Sequence, residues 1–271
     1  MTLSRSVCNG SKADSSFQRL RLSKMLSVSL DMALPGIFTL VATLAFLIVE
    51  RLFPGRRLPK VKGWYGRVLA INLVQLVISL STMRLWIEIF GSASVFKLSA
   101  WNVPIAEGFV AWLIGTFVFY WWHRLRHVGW FRLIFHQVHH SPSRIEAMTS
   151  FYKHPVEIFF DAILSAAIIY PVLGCSLSAA YWYTFFAATG EYLYHTNMKT
   201  LPWMRYFIQT PELHSIHHQL DVHRYNFSDL PIWDRLFGTY RDTTEFVDRC
   251  GFPEGTEAKL GQMLVFKDVY R

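Results

Sequence analysis

Four stretches of this chain are too long and too apolar to remain in water. Residues 32–49, 68–90 and 105–122 each approach the length of a bilayer crossing, and residues 156–194 form a longer apolar region broken by Pro171 and Gly174. In a hydrocarbon slab no solvent satisfies the backbone, so such stretches fold as helices or not at all. The break at Pro171 and Gly174 predicts a helical hairpin that enters the membrane and comes back. With 52% hydrophobic and 17% charged residues, and with 10 Trp and 12 Tyr for interfacial anchoring, the composition suits a membrane protein.

The charges follow the spans. Arg51, Arg56, Arg57, Lys60, Lys62 and Arg67 crowd the loop between the first two apolar runs, which the positive-inside rule puts in the cytoplasm. Two further spans return the chain to that side at His123, so the loop and the first histidines share one face. The hairpin keeps the later histidines there too. An odd number of spans would then set the basic segment 1–30 outside, a conflict resolved either by a partly interfacial first run or by an exception to the positive-inside rule. The formal charge of +8 flanks apolar segments and forms no aromatic-interleaved stripe, so anionic lipid headgroups explain it and nucleic acid does not. Cys8, Cys175 and Cys250 are far apart with no CxxC pair, which excludes a disulfide framework and a thiolate zinc site.

The domain reading is a flexible basic tail over 1–30, an N-terminal transmembrane region over 31–104, a catalytic region over 105–240 and a soluble C-terminal tail over 241–271. All eleven histidines fall between His123 and His223. His123 and His127 are one helical turn apart; His136, His139 and His140 stand at i, i+3 and i+4, and His214, His217 and His218 repeat that spacing. Protonated neighbours would repel, and metal coordination is the usual compensation. Eight imidazoles exceed what one ion uses, so two metals close together are expected.

Local signals support the helices. Thr210-Pro211-Glu212 supplies a cap, a first-turn proline and a first-turn acid ahead of His214, and Ser141-Pro142 stops the helix that carries His139 and His140. His154-Pro155 opens another helix, with Glu157 in its first turn, and fixes His154 where it could point back at the metals. His195 ends the hairpin, as either an interfacial histidine or a ligand. His223, in a loop, reads as solvent-facing or as lining a substrate entrance.

Imidazole suits zinc, iron, copper and nickel, whereas clusters without carboxylate or thiolate exclude calcium, magnesium and iron–sulfur sites. Two zinc ions could activate water, but such sites usually keep bridging carboxylates. Two irons held by neutral imidazoles fit O2 activation better. A di-zinc membrane hydrolase and a non-catalytic metal-binding transporter or sensor remain as alternatives.

His123-x3-His127, His136-x2-His139-His140 and His214-x2-His217-His218 resemble the three histidine boxes of the fatty acid hydroxylase and sterol desaturase superfamily of membrane di-iron oxygenases. The resemblance extends over residues 105–240, through Tyr120-Trp121-Trp122-His123-Arg124, the run from Phe135 to Ser141, His154-Pro155 and the run from Trp233 to Tyr240. It implies an all-α, multi-pass transmembrane bundle with a cytosolic helical cap that carries a histidine-rich dimetal site, and a lipid tunnel below. It makes His123, His127, His136, His139, His140, His214, His217 and His218 metal ligands, matches His195 to an isolated ligand, and offers His154 as a tenth.

The activity it implies is hydroxylation or desaturation of a sterol or fatty acyl lipid by O2. Electrons would come from a donor such as cytochrome b5 or a ferredoxin with its reductase, and zinc could replace iron in isolated protein. The membrane is the endoplasmic reticulum in a eukaryote or the inner membrane in a bacterium. Three intervening residues in the first box and Lys199 four positions after His195 favour the sterol-desaturase-like side. Ser228 stands where a glycine often follows the third box. Arg124, Arg126, Arg132 and Arg144 are candidates for receiving an acidic partner or lipid headgroups, and Asp161 is a functional candidate inside the hairpin.

Overall fold

The computed structural model describes residues 32–91 and 93–270; the basic tail expected over 1–30 lies outside them. Among the described residues there are helices and no strands, with one isolated bridge between Gln219 and Cys250. The long helices are α1 (Met32–Leu52), α2 (Trp64–Phe90), α3 (Pro104–Arg126), α5 (Pro155–Ala167) and α6 (Leu177–His195). Short helices α4 (Gln137–His140), α7 (Pro211–His217), α8 (Pro231–Leu236) and α9 (Leu260–Met263) gather at one end of the bundle. Four helical stretches are long and apolar enough to cross a membrane: Met32–Leu52, Trp64–Thr82, Pro104–Arg126 and Pro155–Val172.

Small residues set how closely the helices approach. Gly108 of α3 lies so near α6 that a Cβ there would meet the Ala179 carbonyl oxygen at 2.6 Å, and Gly115 faces the Tyr183 ring. Around this crossing, Ala111, Ala166, Ile169, Ala179 and Tyr183 form the bundle core together with Trp86 of α2. The outer faces stay apolar and unburied: Leu40 is 59% exposed, Leu69 57% and Leu80 62%. Contiguous apolar surface of this kind needs lipid against it.

The predicted hairpin is present. α5 runs into a π-turn, Ile168–Val172, that contains Pro171, and the chain reverses at Gly174 before Ser176 caps α6 by accepting from the Ala179 N–H. Gly174 has φ +61°, and a Cβ there would lie 2.3 Å from the Phe96 carbonyl oxygen. Only glycine fits, because the strap after α2 lies directly on this turn: Val95, Phe96, Leu98 and Ser99 donate to the carbonyls of Pro171, Val172, Leu173 and Gly174.

At the opposite end the basic loop lies beside the histidines, as the span count predicted. Arg144 donates to the Pro59 carbonyl and the Tyr65 hydroxyl, and the Gly55 N–H donates to the Asn197 carbonyl. Glu50, buried at the end of α1, accepts from the Ala147 and Asn197 N–H groups at 2.8 and 3.1 Å.

The C-terminal segment, expected as a soluble tail over 241–271, packs against the rest of the chain. Its described part is wrapped onto the histidine end. The Gly251 N–H donates to the His218 carbonyl, Phe252 to the Ser141 carbonyl, and Asp268 pairs with Arg132 at 2.8 Å. Phe252, Met263 and Val269 are buried with Val138 of the second box and Trp64 of α2.

Candidate metal centre

Nine imidazoles meet at this end, in two groups. The first holds His123, His127, His136, His140 and His217; the second holds His139, His195, His214 and His218. Within each group one nitrogen per residue lies within 4.8 Å of all the others. All are buried except half-buried His127. The rings of His140 and His218 stack across the two groups, centroids 4.3 Å apart.

The grouping cuts across the sequence boxes in a regular way. His123 with His127, His136 with His140, and His214 with His218 stay together, whereas His139 and His217 cross to the other group. Residues four apart on a helix point within about 40° of each other, while positions i+3 and i+4 diverge by about 100°. Each i+3 imidazole therefore faces the neighbouring group. The second box departs from regular helix at a π-turn, Arg132–His136, which turns His136 back toward His123.

Hydrogen bonds fix which nitrogen is free. The Nδ1 of His123, His217 and His195 lies 2.6, 2.7 and 2.9 Å from the carbonyls of Phe227, Tyr225 and Glu191. His136 Nδ1 lies 2.8 Å from Glu157 Oε1. A carbonyl only accepts, so these Nδ1 atoms donate and each Nε2 carries a bare lone pair. The Nε2 atoms of His123 and His136 nevertheless face each other at 2.9 Å, and His195 Nε2 lies 3.2 Å from that of His139 and 3.1 Å from that of His214.

Facing lone pairs repel unless a cation lies between them. Two bonds of about 2.1 Å at right angles separate their nitrogens by about 3.0 Å, which is the spacing seen. Buried His140 Nε2 and His217 Nε2 have no hydrogen-bond partner. The donor set therefore fits two metal ions, and the hydrogen-bond acceptors behind it are the kind that orient ligand histidines.

Burial, reinforced by neighbouring imidazoles and cations, pushes His136, His139, His140, His214 and His218 well below the ordinary histidine value of 6.5. His217 falls to about 3. The folded state thus binds fewer protons than the unfolded chain, and acid favours unfolding. Chelator-treated protein should keep full stability above pH 6.5 and lose it as pH falls toward 3, at up to about 1.4 kcal/mol per pH unit for each histidine. Thermal melts across that range check this; a melting temperature flat from pH 7 to about 5 contradicts it.

Not every expected residue is here. His154 stands outside both groups: its Nδ1 accepts from the Val156 N–H, capping α5, and its ring packs on Phe266. With the proline at the first position of α5, His154 is that helix's N-cap and stays outside both imidazole groups. His223 is half-buried, with Nδ1 3.0 Å from His140 Nδ1, so it stands directly behind that imidazole while keeping part of its surface in solvent. Arg126 is buried against Glu157 and Asp161, Arg144 is bound to Glu146, and Arg132 to Asp268, so these three are committed internally. Asp161 also accepts from Trp122 Nε1 at 2.6 Å.

Ser228 gains an explanation. Its hydroxyl donates to Asp234 Oδ2 at 2.6 Å, and Asp234 also accepts from the N–H groups of Phe227 and Ser228 and from the Thr239 hydroxyl. That carboxylate shapes the loop whose Phe227 carbonyl holds His123. Asp234→Asn places an amide donor among these donors; it should cost about 2–3 kcal/mol and loosen metal retention. Unchanged melting temperature and metal content would refute this. Nothing in the sequence distinguished Asp234 within its motif, and Gln209, which donates to the Asn226 carbonyl below His214, carried no signal at all.

Fold and site together define a helical bundle of membrane-spanning length with two buried polyhistidine clusters, each able to hold a metal ion, at one end. Residues 108–239 match the family model described as fatty acid hydroxylase, and the chain is a member of the fatty acid hydroxylase and sterol desaturase superfamily. It is 36% identical over 103 residues to methylsterol monooxygenase 2-1 of Arabidopsis thaliana, covering 38% of this chain and 36% of that one. It is 29% identical over 178 residues to very-long-chain aldehyde decarbonylase GL1-8 of Oryza sativa subsp. indica, covering 64% of each. The chain thus spans less than two thirds of the length of these relatives. No solved structure matches it.

Proposed function

We propose that this chain is a membrane di-iron oxygenase that uses O2 and two electrons from a redox partner to hydroxylate or desaturate a lipid. The observation that carries the reading is the pair of imidazole groups opening onto a bundle cavity of about 310 Å³, which His123, His136, His139, His195 and His214 line. Iron bound there would supply redox change coupled to O2 activation, which zinc lacks. Nine neutral imidazoles, with no carboxylate in either group, favour it over a hydrolytic zinc pair.

The chain's own residues hold, orient and shield. Glu157 and the carbonyls of Phe227, Tyr225 and Glu191 fix ring orientation, and buried Tyr120, Tyr194 and Phe227 keep bulk water from the cavity face of the histidines. The nine ligands are His123, His127, His136, His139, His140, His195, His214, His217 and His218. The basic loop beside them supports a cytoplasmic orientation of this end, in the endoplasmic reticulum or a bacterial inner membrane, facing a donor such as cytochrome b5 or a ferredoxin. The names of the relatives, a methylsterol monooxygenase and an aldehyde decarbonylase, support lipid as the substrate.

The test is metal analysis of anaerobically purified protein, followed by O2 and reductant consumption with extracted lipid. Two irons per chain and lipid-dependent O2 uptake are expected. Tightly bound zinc in a protein that hydrolyses lipid without O2 would end the proposal.

A further inference from the structure

The loop that follows the third box reaches back over the first imidazole group. The Tyr225 and Phe227 carbonyls accept from His217 Nδ1 and His123 Nδ1, and ahead of them stands His223, whose Nδ1 lies 3.0 Å from His140 Nδ1. One short loop thus touches three of the five members of that group from behind.

The backbone of this loop is unusual. Asp221, His223 and Asn226 have φ of +64°, +42° and +53°, a region that residues other than glycine rarely enter and that Asn, Asp and His tolerate best. Such a conformation persists where the surroundings over-determine it. Asp221 accepts from the Tyr270 hydroxyl, and Asn226 Nδ2 donates to the Leu213 and Arg241 carbonyls at 2.9 and 3.0 Å. His223 instead spends its hydrogen bond on an imidazole of the metal centre. The rings of Phe252 and Tyr270 stand edge-on to it, with centroids 5.9 and 6.0 Å away, and hold it from the C-terminal segment.

The protons on His140 dictate what His223 has to offer. His140 Nε2 is buried without a hydrogen-bond partner, and its residue belongs to the first group, so this nitrogen keeps a bare lone pair for a metal. A neutral imidazole has one N–H, which then lies on Nδ1 and donates. The atom facing it at 3.0 Å must accept, so His223 presents the lone pair of its Nδ1 and carries its own proton on Nε2. This contact differs from that of His123 Nε2 with His136 Nε2, where both lone pairs are bare and a cation is needed between them. Between His140 and His223 a proton is enough.

Resting on the two-metal centre proposed above, and holding for iron or zinc alike, we propose that His223 is a positioning residue for the first metal: it fixes the tautomer and the ring plane of His140. It is not itself a ligand, because it stands outside both groups and meets the nitrogen of His140 that points away from the ion. Its influence extends toward the second group, since the His140 ring stacks on that of His218 with centroids 4.3 Å apart.

Titration of full-length protein in nanodiscs with cobalt(II), against a competing chelator, tests this without turnover. His223→Leu puts a methyl carbon where Nδ1 stood, and one of the two ions should bind about 10–100-fold more weakly. His223→Gly also removes the acceptor but takes a positive φ without strain, so it should show the same loss in a protein whose loop is unstrained. His223→Asn is the rescue. Asparagine tolerates this backbone, and its Oδ1, bonded to Cγ as Nδ1 is, offers an acceptor at the same place, so most of the affinity should return. Wild-type affinity for both ions in the Leu and Gly variants, or a loss in the Asn variant as deep as in the Gly variant, overturns the inference. A wild-type protein that takes up no cobalt would end the two-metal centre itself, and this role with it. Lipid hydrolysis without O2, alongside the expected cobalt pattern, would end the oxygenase reading and leave His223 in its role.

Discussion

His139→Ala is expected to take the metal content from two ions to one and to lower O2-dependent turnover by more than about 100-fold, since even residues behind ligands are worth 10–100-fold. The second group has only four imidazoles, and His139 bridges between boxes to complete it, with its Nε2 3.2 Å from that of His195. Its loss leaves His195, His214 and His218, three ligands from one side. The first group keeps all five of its members and should keep its ion. His127→Ala is the contrast: it removes one of five ligands, and the only half-buried one, so both ions should remain with affinity about tenfold weaker at the first site. Metal analysis and O2 uptake on the two variants read this asymmetry. Full turnover with two ions bound in His139→Ala would contradict the assignment of the second group.

The histidine boxes could be read in advance because helical period is a local property. Spacings of three and four residues bring imidazoles to one face whatever the rest of the chain does. That argument led to the expectation of two metal sites but did not say which histidine belongs to which group, because the crossing of His139 and His217 depends on how α4 and α7 face each other. His154 carried a local signal that misled. A histidine before a proline at a helix start has a nearby backbone donor, and the Val156 N–H takes its Nδ1. The roles of Glu157 and Asp234 were illegible for a different reason: their partners lie 21 residues away at His136 and on a loop shaped by tertiary packing. The wrapping of the C-terminal segment rests partly on backbone bonds such as Gly251 to His218, which leave no trace in side-chain pattern.

Glu157→Gln should be the most damaging change outside the ligands. The carboxylate is fully buried; it accepts from the guanidinium of Arg126, itself 4% exposed, and lies 2.8 Å from His136 Nδ1. Glutamine keeps the shape but not the charge, so Arg126 is left with Asp161 at 3.5 Å as its nearest anion. Breaking one side of a buried pair costs about 3–5 kcal/mol, and weakening the partner of a ligand histidine costs about 10–100-fold in metal affinity. The two effects separate in a double-mutant cycle with Arg126→Met. Removing both charges should recover much of the lost stability, because the uncompensated cation is gone, whereas His136 still lacks its carboxylate and metal affinity should stay low. Denaturant melts and competitive metal titrations on the four proteins measure each term. If Glu157→Gln with Arg126→Met regained metal affinity along with stability, Glu157 would act only as a counterion for Arg126, and its orientation of His136 would have to be abandoned.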